Sequence, residues 1–272
     1  MIVFNSIKEF NKAKENFDNL SFIPTMGNLH RGHISLIDTA KEYKNKVIAS
    51  IYINKLQFND KNDYLNYPKT IEDDINILEK HGCDYVLIPD ESIIENILNI
   101  KAPPISNKLC GQSRPGHFDG VLTILNKFFQ IIDPEIVFFG KKDYQQFVLV
   151  RDFILDNNLN IKIVGVDTVR EDSGLALSSR NNLLSNQEKI IATELYKALK
   201  DIAINKTNLN SNLINLKKDY LKSLDINVDY LISCDPDTFE ECYKINEKDI
   251  LVAIAAYVGK IRLIDNIKLT KL

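Results

Sequence analysis

The stretch Phe22–Leu36 reads F-I-P-T-M-G-N-L-H-R-G-H-I-S-L, and it determines how the front of the chain folds. A short apolar run over residues 20–23 ends in Pro24 and Gly27. After this break, apolar side chains return at the spacing of a helix with one buried face, at Ile34, Leu36, Ile37 and Ala40. The pattern predicts a strand, a turn, and a helix from about His33 to Tyr43.

Two of the four histidines lie close together at the predicted start of this helix, in His30-Arg31-Gly32-His33. A helix start presents unpaired N–H groups and a partial positive charge, which favour a phosphate. Imidazoles at the same place can donate further hydrogen bonds to a phosphate that is gaining charge. Gly32 would let a flat ligand approach the backbone. Taken alone, H-x-G-H is a short motif, and both histidines could equally be ordinary surface residues.

Composition excludes several classes of protein. The chain has 272 residues, 44% of them hydrophobic and 26% charged, as in an ordinary soluble protein large enough to bury a sizeable core. The net charge of −3 argues against a general nucleic-acid-binding protein. No apolar run reaches membrane-spanning length, and the first residues do not resemble a secretory signal, so no membrane partner is expected. The four cysteines form no C-x-x-C pair, which favours a cytoplasmic location with free thiols, although a disulfide stays open.

Strand and helix patterns alternate through the first part of the chain. Four further apolar runs read as strands, at residues 47–53, 84–88, 135–139 and 161–166. Three helical patterns separate them, at residues 70–82, 118–132 and 143–157. Thr70 is expected to cap the first of these helices, and residues 54–66 read as a polar loop. The alternation indicates right-handed βαβ units and an α/β fold with a Rossmann-like parallel sheet.

The pattern changes after residue 168. Ser185-Asn186-Gln187-Glu188 is a capping box that opens a long helix to about residue 205, and a second helix follows near 211–223. Three strand-like runs come next, at residues 227–233, 250–257 and 260–264. We therefore predict two domains, a Rossmann-like one over residues 1–168 and a smaller α+β one over residues 169–272.

Ligands of open parallel sheets bind beyond the carboxyl ends of the strands, where the strand order reverses. Polar or flexible residues follow four of the predicted strands in this sequence. They are Pro24, Thr25, Met26 and Gly27, then Asn54 and Gln57, then Gly140, Lys141, Lys142, Asp143, Gln145 and Gln146, and finally Thr168, Val169 and Arg170. Convergence of these residues at one edge of the sheet would be stronger evidence for a binding site than any single motif.

Three stretches of the sequence each allow two interpretations. Gly140-Lys141-Lys142-Asp143 is either a solvated face or a helix start from which Lys142 reaches a phosphate as a point charge. The stretch 174–180, G-L-A-L-S-S-R, is either a polar loop or a phosphate clamp on a flexible connection that closes over the site. The stretch 114–120, R-P-G-H-F-D-G, is either a capped helix start or an anion contact through Arg114.

Together these segments resemble one family. P-T-M-G-N-L-H-R-G-H, R-P-G-H-F-D-G-V, F-F-G-K-K-D-Y-Q-Q, V-G-V-D-T-V-R-E-D-S-G-L-A-L-S-S-R-N and the late R-L-I-D-N are similar to pantothenate synthetases, within the H-I-G-H nucleotidylyltransferase superfamily. The resemblance implies ATP-dependent condensation of pantoate with β-alanine, giving pantothenate, AMP and pyrophosphate through a pantoyl-adenylate. It also implies magnesium, a homodimer, a first domain that binds nucleotide and pantoate, and a C-terminal lid.

The resemblance assigns roles to individual residues. It implies ATP binding by Met26, Gly27, Asn28, Leu29, His30, Arg31, Gly32, His33, Gly140, Lys141, Lys142, Asp143, Val169, Leu177, Ser178, Ser179 and Arg180. It implies catalytic roles for His30, His33, Lys142, Ser178, Ser179 and Arg180, with His33 as the general acid. Pantoate would contact Pro24, Thr25, Met26, Gln57 and Gln146, and no protein ligand is assigned to a metal. Asp73 and Asp74 are either helix-start charges or groups beside β-alanine.

Four positions depart from the family pattern, each with a basic residue, at Arg31, Lys55, Lys69 and Lys141. None of the four changes removes a group that has an assigned role, so activity is still expected. Two alternatives stay open. The chain could be another nucleotidyltransferase of the superfamily, which would leave Gln57 and Gln146 unexplained. It could also be a non-catalytic nucleotide-binding module, which fits poorly with intact His30, His33 and Lys142.

Overall fold

The computed structural model describes residues 1–17 and 19–271, which form two compact units. The first unit comprises Met1–Asn107, Gly111–Lys141 and Gln145–Asp167. The second comprises Lys108–Cys110, Lys142–Tyr144 and the chain from Thr168 onward. The division after residue 168 into two domains, which the sequence predicts, stays a prediction. No helix in the described part of the chain is long and apolar enough to cross a membrane.

The elements alternate as the sequence predicts. In chain order the strands are β1 (Ile2–Phe4), β2 (Leu20–Thr25), β3 (Lys46–Ile51), β4 (Tyr85–Leu87), β5 (Ile136–Gly140), β6 (Lys162–Val166), β7 (Asn227–Cys234), β8 (Ile250–Val258) and β9 (Ile261–Leu269). The α-helices are α1 (Ile7–Ala13), α2 (Arg31–Lys41), α3 (Lys61–Leu65), α4 (Ile71–Lys80), α5 (Cys110–Ser113), α6 (His117–Ile132), α7 (Tyr144–Asp156), α8 (Asn186–Ile204) and α9 (Ser211–Ser223).

A six-stranded parallel sheet forms the centre of the first unit, in the order β1-β4-β3-β2-β5-β6. From β2 the chain builds outward through β3 and β4, then returns to add β5 on the other side of β2. The strand order therefore reverses between β2 and β5, which is where ligands of such sheets bind. The Rossmann-like fold predicted from the sequence is confirmed.

The core of this unit lies between the sheet and the helices that cover it. Phe22 and Ile23 of β2 are almost fully buried, as a central strand between two layers of helices requires. Helix α2 packs its apolar stripe against the sheet, so that Leu36, Ile37 and Ala40 are buried, as predicted from their spacing. The packing fixes where α2 begins, and hence where the two histidines at its start are held.

Pro24 separates β2 from β5 at the reversal point. Leu20 accepts a hydrogen bond from Glu135 on the β5 side, while Thr25 accepts one from Tyr52 on the β3 side. Because backbone groups alternate along a strand, position 24 faces β5, and proline has no N–H to donate there. Accordingly β2 pairs with β3 over all its six residues but with β5 only at Ser21 and Phe22. The two strands are therefore unpaired where the candidate loops begin.

The second unit contains an antiparallel sheet in the order β7-β8-β9, covered by α8 and α9. Every residue of β8 except Tyr257 is buried, and α8 contributes Leu195, Leu199 and Ile202 to the same core. The capping box predicted at Ser185 is present, since its hydroxyl accepts from the Glu188 N–H and the Glu188 carboxylate accepts from the Ser185 N–H. The smaller α+β part of the fold prediction is confirmed.

Local details differ from the sequence-based expectation at three places. A three-residue strand, β1, precedes the first predicted strand and pairs with β4 at the edge of the sheet. The polar loop at 54–66 contains a 3-10 turn at Lys55–Gln57 and the short helix α3, whose first turn is capped by Asp60. Helix α2 begins at Arg31, two residues before the predicted start at His33, because His30 acts as its N-cap.

Gly120 allows α6 to lie directly against the turn at Lys55–Gln57. A Cβ at this position would sit 2.2 Å from the Leu56 carbonyl oxygen and 2.7 Å from the Gln57 backbone nitrogen. We expect Gly120→Ala to lower the free energy of unfolding by about 3 kcal/mol, since backbone atoms cannot move aside as a side chain does. Urea denaturation would measure this change. Gly140→Ala is the control, because nothing lies within 4 Å of a Cβ built there, and equal stabilities of the two variants would contradict the expectation.

Candidate active site

The loop between β2 and α2 is anchored by a buried carboxylate from α4. Asp74, only 1% exposed, accepts hydrogen bonds from the backbone N–H of Asn28 at 2.9 Å and of Leu29 at 2.8 Å. The Thr70 hydroxyl donates a further hydrogen bond to this carboxylate at 3.0 Å. Thr70 occupies the N-cap position, but its side chain does not cap the helix as predicted, because its hydroxyl is directed to Asp74 instead. The carboxylate therefore fixes the course of the loop.

The loop turns through two residues with left-handed backbone conformations, Gly27 at φ +80° and Asn28 at φ +52°. A Cβ on Gly27 would lie 2.8 Å from an oxygen of Asp74, so glycine is needed for both the conformation and the close approach. The Thr25 hydroxyl donates to the Ser50 carbonyl at 2.6 Å and accepts from the Gly27 N–H at 3.2 Å. Thr25, expected to contact pantoate, thus uses its hydroxyl to shape this turn.

The two histidines cap α2 reciprocally. The Gly32 N–H donates to Nδ1 of His30 at 3.1 Å, and the His30 N–H donates to Nδ1 of His33 at 3.2 Å. An imidazole nitrogen that accepts a hydrogen bond carries no proton, so each neutral ring carries its proton on Nε2. The ring centroids are 4.2 Å apart, which places both Nε2–H donors at one end of the helix. Both imidazoles therefore lie together at the start of α2, and their role as donors to a phosphate stays a prediction.

The same capping corrects one sequence-based expectation. The helix start was predicted to present unpaired N–H groups to a phosphate, but several of these groups already have acceptors. The N–H groups of His30 and Gly32 donate to the imidazoles, and that of His33 donates to the His30 carbonyl at 2.8 Å. The N–H groups of Asn28 and Leu29 donate to Asp74. An anion at this helix start would therefore find imidazole side chains more readily than free backbone amides.

Two of the residues expected to bind pantoate lie in contact. The side-chain amide of Gln57 donates to the sulfur of Met26 at 3.2 Å, and its oxygen accepts from the Asn54 amide at 3.0 Å. Asn54 is 1% exposed and also donates to the Gly120 carbonyl, so it holds Gln57 against α6. Gln146 lies half-buried near the start of α7, after Gln145, whose amide donates to the carbonyls of the 105–106 segment.

The residues that follow β5 lie in different environments. Gly140 ends the strand with open space where a side chain would be, which leaves room for close approach of a ligand. Lys141 forms an exposed ion pair with Asp167 at 2.8 Å, so the lysine that departs from the family pattern has a protein carboxylate beside it. Lys142 and Asp143 belong to the second unit, in a 3-10 turn, and Asp143 is exposed.

The second group of candidates lies on a closed loop in the second unit. The Leu177 N–H donates to the Val169 carbonyl at 3.0 Å, and Arg170 and Ala176 form a β-bridge. Ser178 caps the 3-10 turn Ser179–Leu183 by accepting from the Arg180 N–H at 3.2 Å. Four consecutive residues predicted to bind ATP therefore lie on this loop, namely Leu177, Ser178, Ser179 and Arg180.

A buried ion pair ties this loop to β9. Arg170 donates to Asp265 through two nitrogens, at 2.6 and 2.9 Å, and its guanidinium lies 3.6 Å from the centre of the Tyr196 ring. The next residue, Asn266, donates to the Lys142 backbone carbonyl at 2.9 Å. Adjacent residues of β9 thus hold the 170–176 loop and the backbone of a candidate catalytic lysine, a link that the sequence analysis did not identify.

We expect Asp265→Ala to lower the free energy of unfolding by about 3 kcal/mol, because it leaves a mostly buried guanidinium without its carboxylate. The side chains of Arg170 and Asp265 are 17% and 4% exposed. Chemical denaturation would measure the loss. Asp249→Ala is the matched control, since its pair with Lys268 is far more open to water, at 34% and 48% exposed, and its loss should change stability less. A small effect at Asp265 would show that the ion pair does not hold the loop.

Asp74 is the main site residue that the sequence analysis left ambiguous. It was interpreted as either a helix-start charge or a group beside β-alanine, but it is the anchor of the loop. A signal was available in the sequence. Asp74 lies four residues before the buried Leu78, on the apolar face of α4, whereas its neighbour Asp73 is exposed. A carboxylate on a buried helix face needs hydrogen-bond donors from elsewhere in the fold.

Two of the four cysteines are unsuited to act as nucleophiles. Cys83 and Cys234 are buried, and this burial raises the pKa of each thiol to about 12, so neither is a thiolate at neutral pH. Across residues 1–17 and 19–271, no three His, Cys, Asp or Glu side chains are grouped so that they could hold a metal ion.

The sequence and the fold both match one family. Residues 2–268 match the family described as pantoate-β-alanine ligase. The chain is 40% identical to pantothenate synthetase of Neisseria meningitidis serogroup B, over 99% of each chain. Its structure matches that of pantothenate synthetase from Thermus thermophilus with a TM-score of 0.92 and 32% identity, covering 99% of this chain and 100% of the other.

A further solved structure carries ligands. It is the pantoate-β-alanine ligase of Francisella tularensis in complex with beta-gamma ATP and β-alanine, matched with a TM-score of 0.84 at 37% identity. The match covers 98% of this chain and 97% of the other. The resemblance inferred from the motifs is therefore confirmed, and the chain belongs to the pantoate-β-alanine ligase family.

Proposed function

We propose that this protein condenses pantoate with β-alanine at the expense of ATP, releasing AMP and pyrophosphate through a pantoyl-adenylate. The observation that carries the proposal is the family match over residues 2–268. It is supported by the Francisella tularensis relative, which was solved with beta-gamma ATP and β-alanine. The capped histidine pair adds a physical argument, since both imidazoles lie at the start of α2 with Nδ1 used in capping.

In the first step a carboxylate oxygen of pantoate attacks the α-phosphorus of ATP, and the bond to pyrophosphate breaks. Negative charge grows on the phosphate oxygens during this step, and hydrogen bonds that strengthen with that charge lower the barrier. We assign this task to Nε2–H of His30 and His33, with His33 as the general acid. We assign Lys142, Ser178, Ser179 and Arg180 to the phosphates as cationic and hydroxyl ligands.

In the second step the neutral amine of β-alanine attacks the acyl carbon, the bond to AMP breaks, and the amine loses a proton. Both steps require pantoate to be held by groups that do not themselves react. We assign Gln57 and Gln146 to its hydroxyls and carboxylate, and Pro24 and Met26 to its apolar side. Asn54 supports this assignment, because its amide orients the Gln57 side chain. The remaining proposed nucleotide contacts are residues 27–29, Arg31, Gly32, Gly140, Lys141, Asp143, Val169 and Leu177.

Magnesium enters this proposal as part of the nucleotide substrate. Magnesium commonly binds nucleotide phosphates while keeping several water molecules and few protein ligands, which suits a chain without a grouped set of acidic ligands in its described part.

We further propose a homodimer in the cytoplasm. The family resemblance supports the dimer, and the presence of all four cysteines as thiols supports a reducing compartment. Sedimentation velocity and localisation of the tagged protein would test these two points.

The experiment that tests the function is an assay of AMP release with Mg·ATP, pantoate and β-alanine, each omitted in turn. We expect sustained AMP release only with both acids present, and pantothenate as the product by mass spectrometry. Release of pyrophosphate with a stable nucleotidylated product, and no free AMP, would instead indicate another nucleotidyltransferase. Binding of ATP without any AMP would indicate a nucleotide-binding module.

A further inference from the structure

The stretch 114–120 was open to two interpretations, a helix start or an anion contact through Arg114. The structure shows a third arrangement. Helix α6 starts at His117 after Gly116, which has a left-handed conformation and no side chain to cap the helix. The guanidinium of Arg114 is directed to His117 and to the backbone carbonyl of Gln57. This stretch therefore faces the turn that carries a proposed pantoate ligand.

Three contacts join these residues. Nδ1 of His117 lies 2.7 Å from the Gln57 carbonyl oxygen, and a nitrogen of Arg114 donates to the same oxygen at 3.3 Å. The other terminal nitrogen of Arg114 lies 3.0 Å from Nε2 of His117. His117 is 7% exposed, so its ring is enclosed between the guanidinium and the Gln57 turn.

The partners fix the protonation of His117. A carbonyl oxygen only accepts hydrogen bonds, so Nδ1 must carry a proton to bond the Gln57 oxygen. A guanidinium only donates, so Nε2 must present its lone pair to Arg114. His117 is therefore neutral and protonated on Nδ1, the opposite tautomer from the one that capping imposes on His30 and His33.

The other charged groups near His117 already have partners. Asp119, two residues along α6, accepts from Lys101 at 2.6 Å and from the Ala102 N–H at 2.9 Å. Lys55, in the same turn as Gln57, pairs with Glu91 at 2.9 Å. Among the contacts described, the charged group hydrogen-bonded to the His117 ring is Arg114. Its guanidinium donates to Nε2, so this nitrogen carries no proton.

We propose that His117 is a positioning residue for Gln57, holding its backbone carbonyl through the Nδ1 proton while Arg114 selects the tautomer. Asn54 completes the support by holding the Gln57 side-chain oxygen at 3.0 Å. Backbone and side chain of Gln57 are then fixed from two directions, which determines how its amide faces pantoate. The proposal rests on the proposed function, in which Gln57 binds pantoate.

Three substitutions at position 117 separate this role from a packing role. The amide nitrogen of asparagine can occupy the place of Nδ1, whereas glutamine places its amide near Nε2. We expect His117→Gln and His117→Ala to raise KM for pantoate about tenfold or more, because the Gln57 carbonyl loses the shorter of its two hydrogen bonds and keeps only the longer one from Arg114. We expect His117→Asn to restore KM to within about threefold of wild type. KM for ATP should change less than about twofold in all three variants. His81→Gln, in the turn that ends α4, is the control, and thermal melting monitors folding.

Nitrogen-15 NMR of histidine-labelled protein gives a readout that packing alone would not produce. The chain has four histidines, so signals can be assigned with the single variants. We expect the His117 signal to show protonated Nδ1 and those of His30 and His33 to show protonated Nε2. A His117 protonated on Nε2 overturns the proposal whatever the kinetics show.

The kinetic outcomes also distinguish failure of the proposed function from failure of the positioning role of His117. A wild-type chain that makes no pantothenate overturns the proposed function, and the positioning role falls with it. An active wild-type chain whose His117→Gln variant keeps a normal pantoate KM overturns the positioning role alone. The same conclusion follows if His117→Asn is impaired as much as His117→Gln.

Discussion

The His33→Ala variant is expected to form pantoyl-adenylate roughly a thousandfold more slowly than the wild-type chain. The substitution removes the Nε2–H donor assigned to the phosphates, and it also removes the acceptor for the His30 N–H. Single-turnover quenching with ATP and pantoate, without β-alanine, measures this step directly. Because β-alanine is absent, the second step cannot hide the loss.

Asparagine at position 33 separates the two functions of the ring. Its side-chain oxygen can take the place of Nδ1 and accept from His30, but it offers no donor in place of Nε2. We expect His33→Asn to be about as slow as His33→Ala while melting close to the wild type. His81→Ala is the control for losing a histidine elsewhere. If His33→Asn kept more than about a tenth of the wild-type rate, the donor would have to be another group.

The second large effect is expected at Asp74. In Asp74→Ala the N–H groups of Asn28 and Leu29 lose their acceptor in a buried place, which costs about 3 kcal/mol of folding stability. The loop that carries the histidine pair also loses its anchor, so we expect ATP to bind at least tenfold more weakly. Urea denaturation and calorimetric titration with a non-hydrolysable ATP analogue measure the two effects.

Asp73→Ala is the matched control for this prediction, because it removes the same carboxylate from the exposed side of the same helix turn. Asp74→Asn keeps the side-chain volume but retains only one accepting oxygen for two N–H groups, so its effects should fall between those of alanine and the wild type. Equal ATP affinity in Asp73→Ala and Asp74→Ala would show that the loop holds its shape without the carboxylate.

The arrangement around Phe22–Leu36 was predictable because its signals are local. Apolar spacing identifies β2 and α2, and the confirmed parallel sheet follows from the alternation of strands and helices. The pairing of Arg170 with Asp265 was not predictable, because 95 residues separate its members and either could have been a surface charge. The edge strand β1 was missed because three residues carry too little periodicity to be recognised.

The sequence was enough to select candidate residues, but not the hydrogen bonds that they make. Motif resemblance selected His30 and His33, yet their use of Nδ1 in mutual capping required coordinates. Asp74 and His117 act through backbone groups of distant loops, and the sequence gives no record of which carbonyl or N–H a side chain meets. Polar residues whose partners are backbone atoms are therefore the part of a site that a single sequence reveals least.

Pro24 suggests how the width of the opening beside β2 is set. Strands β2 and β5 are joined at Ser21 and Phe22 and then separate, because position 24 offers no N–H to the neighbouring strand. A residue with an N–H at position 24 could donate to β5 and extend the pairing of the two strands. The gap between β2 and β5 would then depend on the amide hydrogen that proline lacks. A comparison of side-chain size or charge at position 24 would not detect this dependence.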